Sequence, residues 1–481
     1  MFISALIVIC CFIGVVILII SERMNRAISA LAGAVITYFV LIFIERMDFS
    51  IIMDLLFGSQ ADGFVNLHSL ILIFAMMLIV VIAHESGAFQ FIAIKLIKLS
   101  KGKPIRLLII LCSITVLISA LLNNILTVII IIPLTITISR MLNIDPTPYI
   151  LTQAVLVNIG GTIFSISSIP NILITTYANI SFLDFLFNVG LISLIVFLFT
   201  LIFFILLYKK DLIIPEEGSK VLSEFNIWNV VQNRRLLYQS AGAILIVMVL
   251  FILIPSSFIP PDIIALSVAL ILIVMSKLDP KEIINKVDFE LLLYLLGIFV
   301  IAGAFEILGI ADFLGALIYN MRSGNPFFQL IIILWISSFL SSAIDNIPIT
   351  KVLIPIIGNI PDGGGMITKN QSFYSLAIGA NWGDNLTPLG DNILVVNLAE
   401  QNKRPVSFKQ FFKIGFVTTI YQLSIVSLIF TLMFQFILGI IILFTLLIVL
   451  LSLFILYKYG PRMIHIKLDQ LSKKLKYKII R

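Results

Sequence analysis

Two asparagines 222 residues apart, Asn124 and Asn346, interrupt otherwise apolar runs in matching ways. The first lies in ISALLNNILTVIIIIP (118–133), the second in LSSAIDNIPITKVLIP (340–355). Pro133 and Pro355 keep the same offset, as do Gly87 and Gly309. Downstream, VNIGGTIFSISSIPN (157–171) answers ANWGDNLTPLGDN (380–392), with Asn158/Asn381 and Gly160/Gly383 each 223 apart. Carboxamide, hydroxyl and carboxylate oxygens in such a setting can coordinate a small cation, and a carboxylate can also exchange a proton. An ionisable residue at the centre of a membrane helix costs roughly 2.5–3.5 kcal/mol on insertion scales, so each one is a functional candidate by default. The second copy holds Asp345, Asp384, Asp391 and Lys351, where the first has Asn123, Gly161, Ser168 and Ile129. Three carboxylates against one ammonium leave a net charge of −2, which favours a cation such as Na⁺.

The candidate ion-binding set from the first copy is Asn123, Asn124, Thr127, Asn158, Gly160, Thr162 and Asn171. From the second it is Asp345, Asn346, Thr350, Lys351, Asn381, Asp384, Asn385, Thr387 and Asp391. Asn124, Asn346, Asp345 and Asp384 are the residues expected to ligate Na⁺. No cofactor is expected beyond a coupling Na⁺ or H⁺. Lys351 follows Asp345 by six, which does not place both on one helix face. It can pair with Asp384 or Asp391, act as a charge displaced by an incoming cation or proton, or bind an anion at a helix N-terminus. Blander readings stand beside these: Asp345 as a helix cap, Lys351 snorkelling to an interface, Asp391-Asn392 as a turn, and Gly160-Gly161 and Gly383 as packing glycines. His84 and Glu85 read as an interfacial pair rather than a proton relay. Trp382 has no evident role.

The elements around these residues must be membrane helices. Of 481 residues, 60% are hydrophobic and 12% charged, where a soluble domain carries about 25% charged residues. The mean hydropathy is +1.16. The apolar stretches run continuously without alternation, which excludes a barrel. The opening segment MFISALIVICCFIGVVILII lacks a basic region and a small-residue cleavage site, and reads as a retained helix. Cys10, Cys11 and Cys112 lie within apolar runs without metal spacing. The predicted fold is all-α and polytopic, with about 11 full spans (near 1–20, 27–44, 69–84, 149–178, 187–208, 238–254, 261–276, 289–306, 373–396, 412–435 and 438–457). Two hairpins, 107–140 and 327–356, join them. Each hairpin arm has about 16 residues, or about 24 Å, against a hydrocarbon core of about 30 Å, which predicts re-entrant tips at mid-membrane. The segments 149–178 and 373–396 each carry a Gly-rich interruption, where released carbonyls need partners.

The formal charge of +7 follows the positive-inside bias rather than a nucleic-acid footprint. If loop 21–26 is cytoplasmic and the chain alternates from there, 28 of the 32 Lys and Arg fall inside, leaving only Arg46, Arg322, Lys351 and Lys369. The N-terminus is then outside, the C-terminus cytoplasmic, and the two copies enter the membrane from opposite sides, as inverted repeats. The expected units are 1–63 (two helices and an outer loop), 64–208 (first repeat), 209–287 (linker and two connecting helices), 288–435 (second repeat) and 436–481 (last helix and basic tail). The tail 458–481 reads as a solvated or lipid-facing amphipathic helix.

SALLNNILTVIIIIP (119–133), NIGGTIFSISSIPNILI (158–174), AIDNIPIT (343–350), GANWGDNLTPLGDN (379–392) and HESGAF (84–89) resemble the ion transporter superfamily. The nearest branch is the arsenite-permease and NhaD-type sodium–proton antiporter group, with its citrate-transporter-like domain. The resemblance spans about 64–435 and implies a homodimer in a plasma membrane, with a fixed scaffold and an elevator-like moving unit. The chain departs from that pattern in two places. Ser167-Ser168-Ile169-Pro170-Asn171 stands where the branch has Gly-Asp/Glu-Pro-Pro-Asn, and Gly390-Asp391-Asn392 stands where it has small residues. The substrate is therefore not transferable from a relative.

A secondary transporter is the leading expectation, with Na⁺/H⁺ exchange ahead of arsenite, other anion or carboxylate transport. A channel on the same fold is the alternative of another class. No HExxH or GxSxG occurs, and three histidines offer little general-base chemistry, so no enzyme is expected.

Overall fold

A computed structural model describes residues 2–21, 23–101, 103–209, 212, 228, 231–321, 325–360, 367–388, 392–403 and 405–459. Asp391, most of the polar linker and the basic tail beyond residue 459 lie outside this set. Every regular element among the described residues is helical, and ten helices are long and apolar enough to cross a membrane. The chain is an all-α polytopic membrane protein.

Two helices, α1 (Phe2–Ile20) and α2 (Arg26–Phe39, continued by a wider turn over Val40–Ile44), precede the first repeat, with a short helix α3 (Ser50–Phe57) in the connecting loop. The first repeat comprises α4 (Val65–Glu85), α5 (Ala88–Lys98), α6 (Pro104–Leu121), α7 (Asn124–Met141), α8 (Thr147–Gly160), α9 (Ile169–Tyr177) and α10 (Phe182–Tyr208). Three connecting helices follow: α11 (Arg234–Leu253), α12 (Pro261–Ser276) and α13 (Pro280–Asn285). The second repeat comprises α14 (Phe289–Ile307), α15 (Ile310–Met321), α16 (Pro326–Ala343), α17 (Asn346–Gly358), α18 (Lys369–Gly383), α19 (Asn392–Gln401) and α20 (Phe408–Phe434), and α21 (Phe436–Tyr459) ends the described chain.

Local chemistry explains these boundaries. Proline opens α6, α12 and α16, where its missing N–H costs no helical bond. Asparagine or serine side chains cap α2, α11, α16 and α20. Thr368 and Gln371 close a reciprocal capping box on α18. Gly87 (φ 77°) and Gly309 (φ 71°) turn the chain in the left-handed region between α4 and α5 and between α14 and α15, a conformation that costs glycine least. Their 222-residue offset is thus a repeated backbone requirement. The offset continues from α5 to α15, α6 to α16, α7 to α17 and α8 to α18, whose first residues differ by 222 in every case.

Helices α5 and α15 were not expected as separate elements, and three of the four hairpin arms are longer than the hydropathy runs suggested. Three arms have 18 residues and the fourth, α17, has 13. Each hairpin turns through two residues in extended backbone, Leu122–Asn123 and Ile344–Asp345.

The first helix of each repeat is clad by a pair of other helices: α4 packs on α11 and α12, and α14 on α1 and α2. Within each repeat the first hairpin arm lies along the interrupted helix, α6 on α8 and α16 on α18. Glycines set that approach. A Cβ on Gly160 would sit 2.7 Å from Val116 O, and one on Gly383 would sit 2.3 Å from Ser338 O. The two repeats meet where α9 packs on α17 and α18. Helix α21 rests on α20 and exposes Phe436, Ile437, Phe444 and Ile448, a surface suited to lipid.

Candidate functional site

Both helical interruptions and both hairpin tips contribute to one buried hydrogen-bond network. In the first repeat, Ser119 Oγ donates to Val157 O (2.5 Å) and to Asn124 Oδ1 (3.3 Å). Asn124 Nδ2 donates to Asn158 Oδ1 (2.7 Å). Asn158 Nδ2 then donates across the repeat boundary to Asn385 Oδ1 (2.8 Å), and Asn385 Nδ2 returns to Val155 O (3.0 Å). A carboxamide suits such a relay because it carries donors and an acceptor on one planar group.

The second repeat repeats the pattern with a charge inserted. Ser341 Oγ donates to Ala380 O (2.6 Å), the counterpart of the Ser119 bond, and to Asp384 Oδ1 (2.9 Å). Asn346 Nδ2 donates to Asp384 Oδ2 (2.7 Å). Asp384 stands where the first repeat has Gly161, 223 positions earlier. At Gly161 a Cβ would lie 2.5 Å from Asn124 Oδ1, so the first repeat has no room for the equivalent side chain. Each break residue has its carbonyl tied by a downstream asparagine: Asn171 Nδ2 to Gly161 O and Asn392 Nδ2 to Asp384 O, both 2.8 Å. One carbonyl at each break, Gly161 O and Asp384 O, is thereby satisfied by a side chain.

Asn381 Nδ2 donates to Asn171 Oδ1 (2.9 Å), a third bond across the repeats, and its own Oδ1 is buried without a partner. Trp382, fully buried, finds its role here. Its Nε1 donates to Thr162 Oγ1 (2.9 Å), and Thr162 in turn bonds Ile159 O (2.7 Å) and Ser193 Oγ (2.9 Å). The indole of one repeat's break is thus fastened to the other's.

The remaining sequence candidates divide. Asn123 caps α7 through Leu126 N (2.9 Å), and Thr127 Oγ1 bonds Asn123 O (3.0 Å). Gly160 serves close packing against α6. Thr387 Oγ1 bonds Ser342 O (2.6 Å), holding the second break to its hairpin arm. Thr350 is buried with its hydroxyl unpartnered. Asp345 occupies the N-cap position of α17 without a side-chain cap bond, and its Oδ1 is buried without a partner. Asp391 lies outside the described residues.

Lys351 points away from the network. Its Nζ donates to Asn66 Oδ1 (2.6 Å) on α4 and lies 4.6 Å from the Phe299 ring centroid. It lines a cavity of about 480 Å³ with Asp54, Asp62, Glu306 and Tyr177. The pairing of Lys351 with Asp384 is not what the structure holds. Asn66 and Asn392 are polar partners outside the candidate ion-binding set; Asn392 answers only to Pro170 or Ile169 at the 222 and 223 offsets, whereas Asn66 answers to Asp288 at 222.

Asp384 is the one formally charged member of the bonded network, and the rest are neutral carboxamides, hydroxyls and carbonyls. No group of three or more His, Cys, Asp or Glu gathers among the described residues. A single carboxylate among neutral oxygens can be neutralised by one monovalent cation or one proton, while the N-terminal end of α17 beside it favours the ionised carboxylate.

The citrate-transporter family profile matches residues 16–379. A 46 kDa membrane protein of Mycobacterium leprae is 30% identical over 422 residues, covering 87% of this chain and 96% of that protein. An uncharacterized transporter of Mycobacterium tuberculosis is 29% identical over 420 residues, again covering 87% and 96%. The human P protein is 26% identical over 488 aligned positions, covering 84% of this chain and 57% of that protein.

Proposed function

We propose, from the premise that this chain belongs to the citrate-transporter family and is a membrane transporter, that it exchanges Na⁺ for H⁺ as a secondary active carrier. The observation that carries the proposal is the Asp384 carboxylate. It is buried at a helix break between two repeats and held by Ser341 and Asn346. A buried carboxylate at membrane depth is costly unless its charge is used. Na⁺ bound among Asp384, Asn346, Asn124 and nearby carbonyls would neutralise it, and so would a proton. Mutually exclusive neutralisation is the physical basis of exchange. Asp345 supplies a second titratable carboxyl at the hairpin tip.

The two repeats act as an inverted pair, with the hairpins re-entering to mid-membrane and the N-terminus outside, in a plasma membrane. The α4 and α14 groups with their cladding helices form the fixed frame of a homodimer. The hairpins and interrupted helices move against it, carrying the ion.

The family description favours a second reading, carboxylate transport, in which the same site holds the coupling ion. Reconstituted vesicles separate the two. A Na⁺ pulse that dissipates an imposed proton gradient without any carboxylate supports exchange. Absence of that response, with citrate flux instead, rejects it.

A further inference from the structure

A second titratable pair lies outside the central network. His68 Nδ1 on α4 is 2.9 Å from Asp262 Oδ2 in the first turn of α12. Asp262 is 3% exposed and its Oδ1 has no partner, whereas the His68 side chain is 35% exposed. Both line a cavity of about 590 Å³ whose wall includes Thr175, Thr176 and Tyr177 at the end of α9.

The chemistry of the pair follows from its partners. An ionised carboxylate only accepts hydrogen bonds, so the contact requires a proton on Nδ1. In the neutral imidazole this leaves Nε2 as an acceptor, on the more exposed of the two side chains. An imidazole whose Nδ1–H is fixed by a buried carboxylate is oriented to take up a proton or ligand at Nε2. The other titratable or charged groups lining the cavity are Asp62, from the loop before α4, and Tyr177. The adjoining cavity shares Asp62 and Tyr177 and adds Asp54, Glu306 and Lys351. Among the described residues, no lysine or arginine lines the His68 cavity.

We infer that His68, oriented by Asp262, is a proton-exchange site on the proposed outer face, distinct from Asp384. It rests on the proton-coupled reading above. A proton taken at Nε2 makes an imidazolium whose charge Asp262 balances. The carbonyl end of α9 carries partial negative charge at the same cavity.

Nitrogen NMR of ¹⁵N-histidine-labelled full chain in nanodiscs tests the site without transport. The chain has three histidines, and H68Q identifies the signal. The neutral His68 should be the Nδ1–H tautomer, take up a proton on acidification, and lose its tautomer preference in D262N. An Nε2–H tautomer, or an unchanging protonation state, overturns the inference. In vesicles, the exchange rate at fixed inner pH should show an inflection with outer pH that H68Q abolishes, although glutamine can still hydrogen-bond Asp262. An unchanged profile in H68Q makes the pair structural and also overturns it. If wild-type vesicles show no proton-coupled flux, the exchange reading fails, and the NMR result alone decides whether His68 takes a proton.

Discussion

Replacing Asp384 with asparagine removes the charge while preserving shape. The amide can turn its Oδ1 toward Asn346 Nδ2 and its Nδ2 toward Ser341 Oγ, replacing the bonds of 2.7 and 2.9 Å. Exchanging charged for neutral hydrogen bonds costs about 1–2 kcal/mol, so D384N should fold. The effect on Na⁺ is larger. At roughly 3 Å and an effective dielectric constant of about 20, a carboxylate attracts a monovalent cation by about 5–6 kcal/mol. If half of that survives the competition with hydration, losing it raises the Na⁺ concentration for half-maximal exchange about 100-fold. The assay is Na⁺-dependent dissipation of a proton gradient in vesicles, with equal protein incorporation confirmed by chromatography. A D384N protein whose half-maximal Na⁺ stays within about threefold of wild type, a difference of less than about 1 kcal/mol, would refute the assignment of Asp384 as the ion ligand.

Four further outcomes follow from the packing and the network. G383A places a Cβ 2.3 Å from Ser338 O and should lower stability by about 1–3 kcal/mol, read as a reduced melting temperature in detergent. W382F removes the bond to Thr162 at about 1 kcal/mol; combined with T162V the losses should be less than additive, because both substitutions delete the same bond. N158A strands Asn124 Nδ2 and Asn385 Oδ1 and should cost about 2–4 kcal/mol by the same melting measurement. K351M removes an ammonium bonded to Asn66 and set against the Phe299 ring in a cavity shared with Asp62 and Glu306, and should change the melting temperature little, since the relieved desolvation of the ammonium is offset by the lost attraction to those carboxylates.

The repeat made much of this fold legible. Comparing the chain with itself exposed Gly87/Gly309, Pro133/Pro355 and Asn124/Asn346, and each pair proved to occupy a matched element. Positions of opposite character at one offset, Gly161 and Asp384, marked where the copies differ in charge. What could not be read was direction. Lys351 and Thr350 are neighbours on one helix, and only the packing of α4 and α14 shows that Lys351 reaches Asn66. Asp345 and Asp384 look alike in sequence, but only Asp384 is bonded to Ser341 and Asn346. The Asn158–Asn385 bond links residues 227 apart, beyond any local pattern. Hairpin lengths were short in the sequence reading because Pro104 and Pro326 start the helices before the hydropathic run becomes continuous.

If Na⁺ and H⁺ compete for one buried carboxylate, Na⁺ binding must release a proton. Calorimetric titration of Na⁺ into the purified full chain, repeated in buffers of different ionisation enthalpy, should give a saturable Na⁺ heat that varies with the buffer and is lost in D384N. A Na⁺ heat independent of buffer, or no Na⁺ binding while citrate binds alone, rules out that competition.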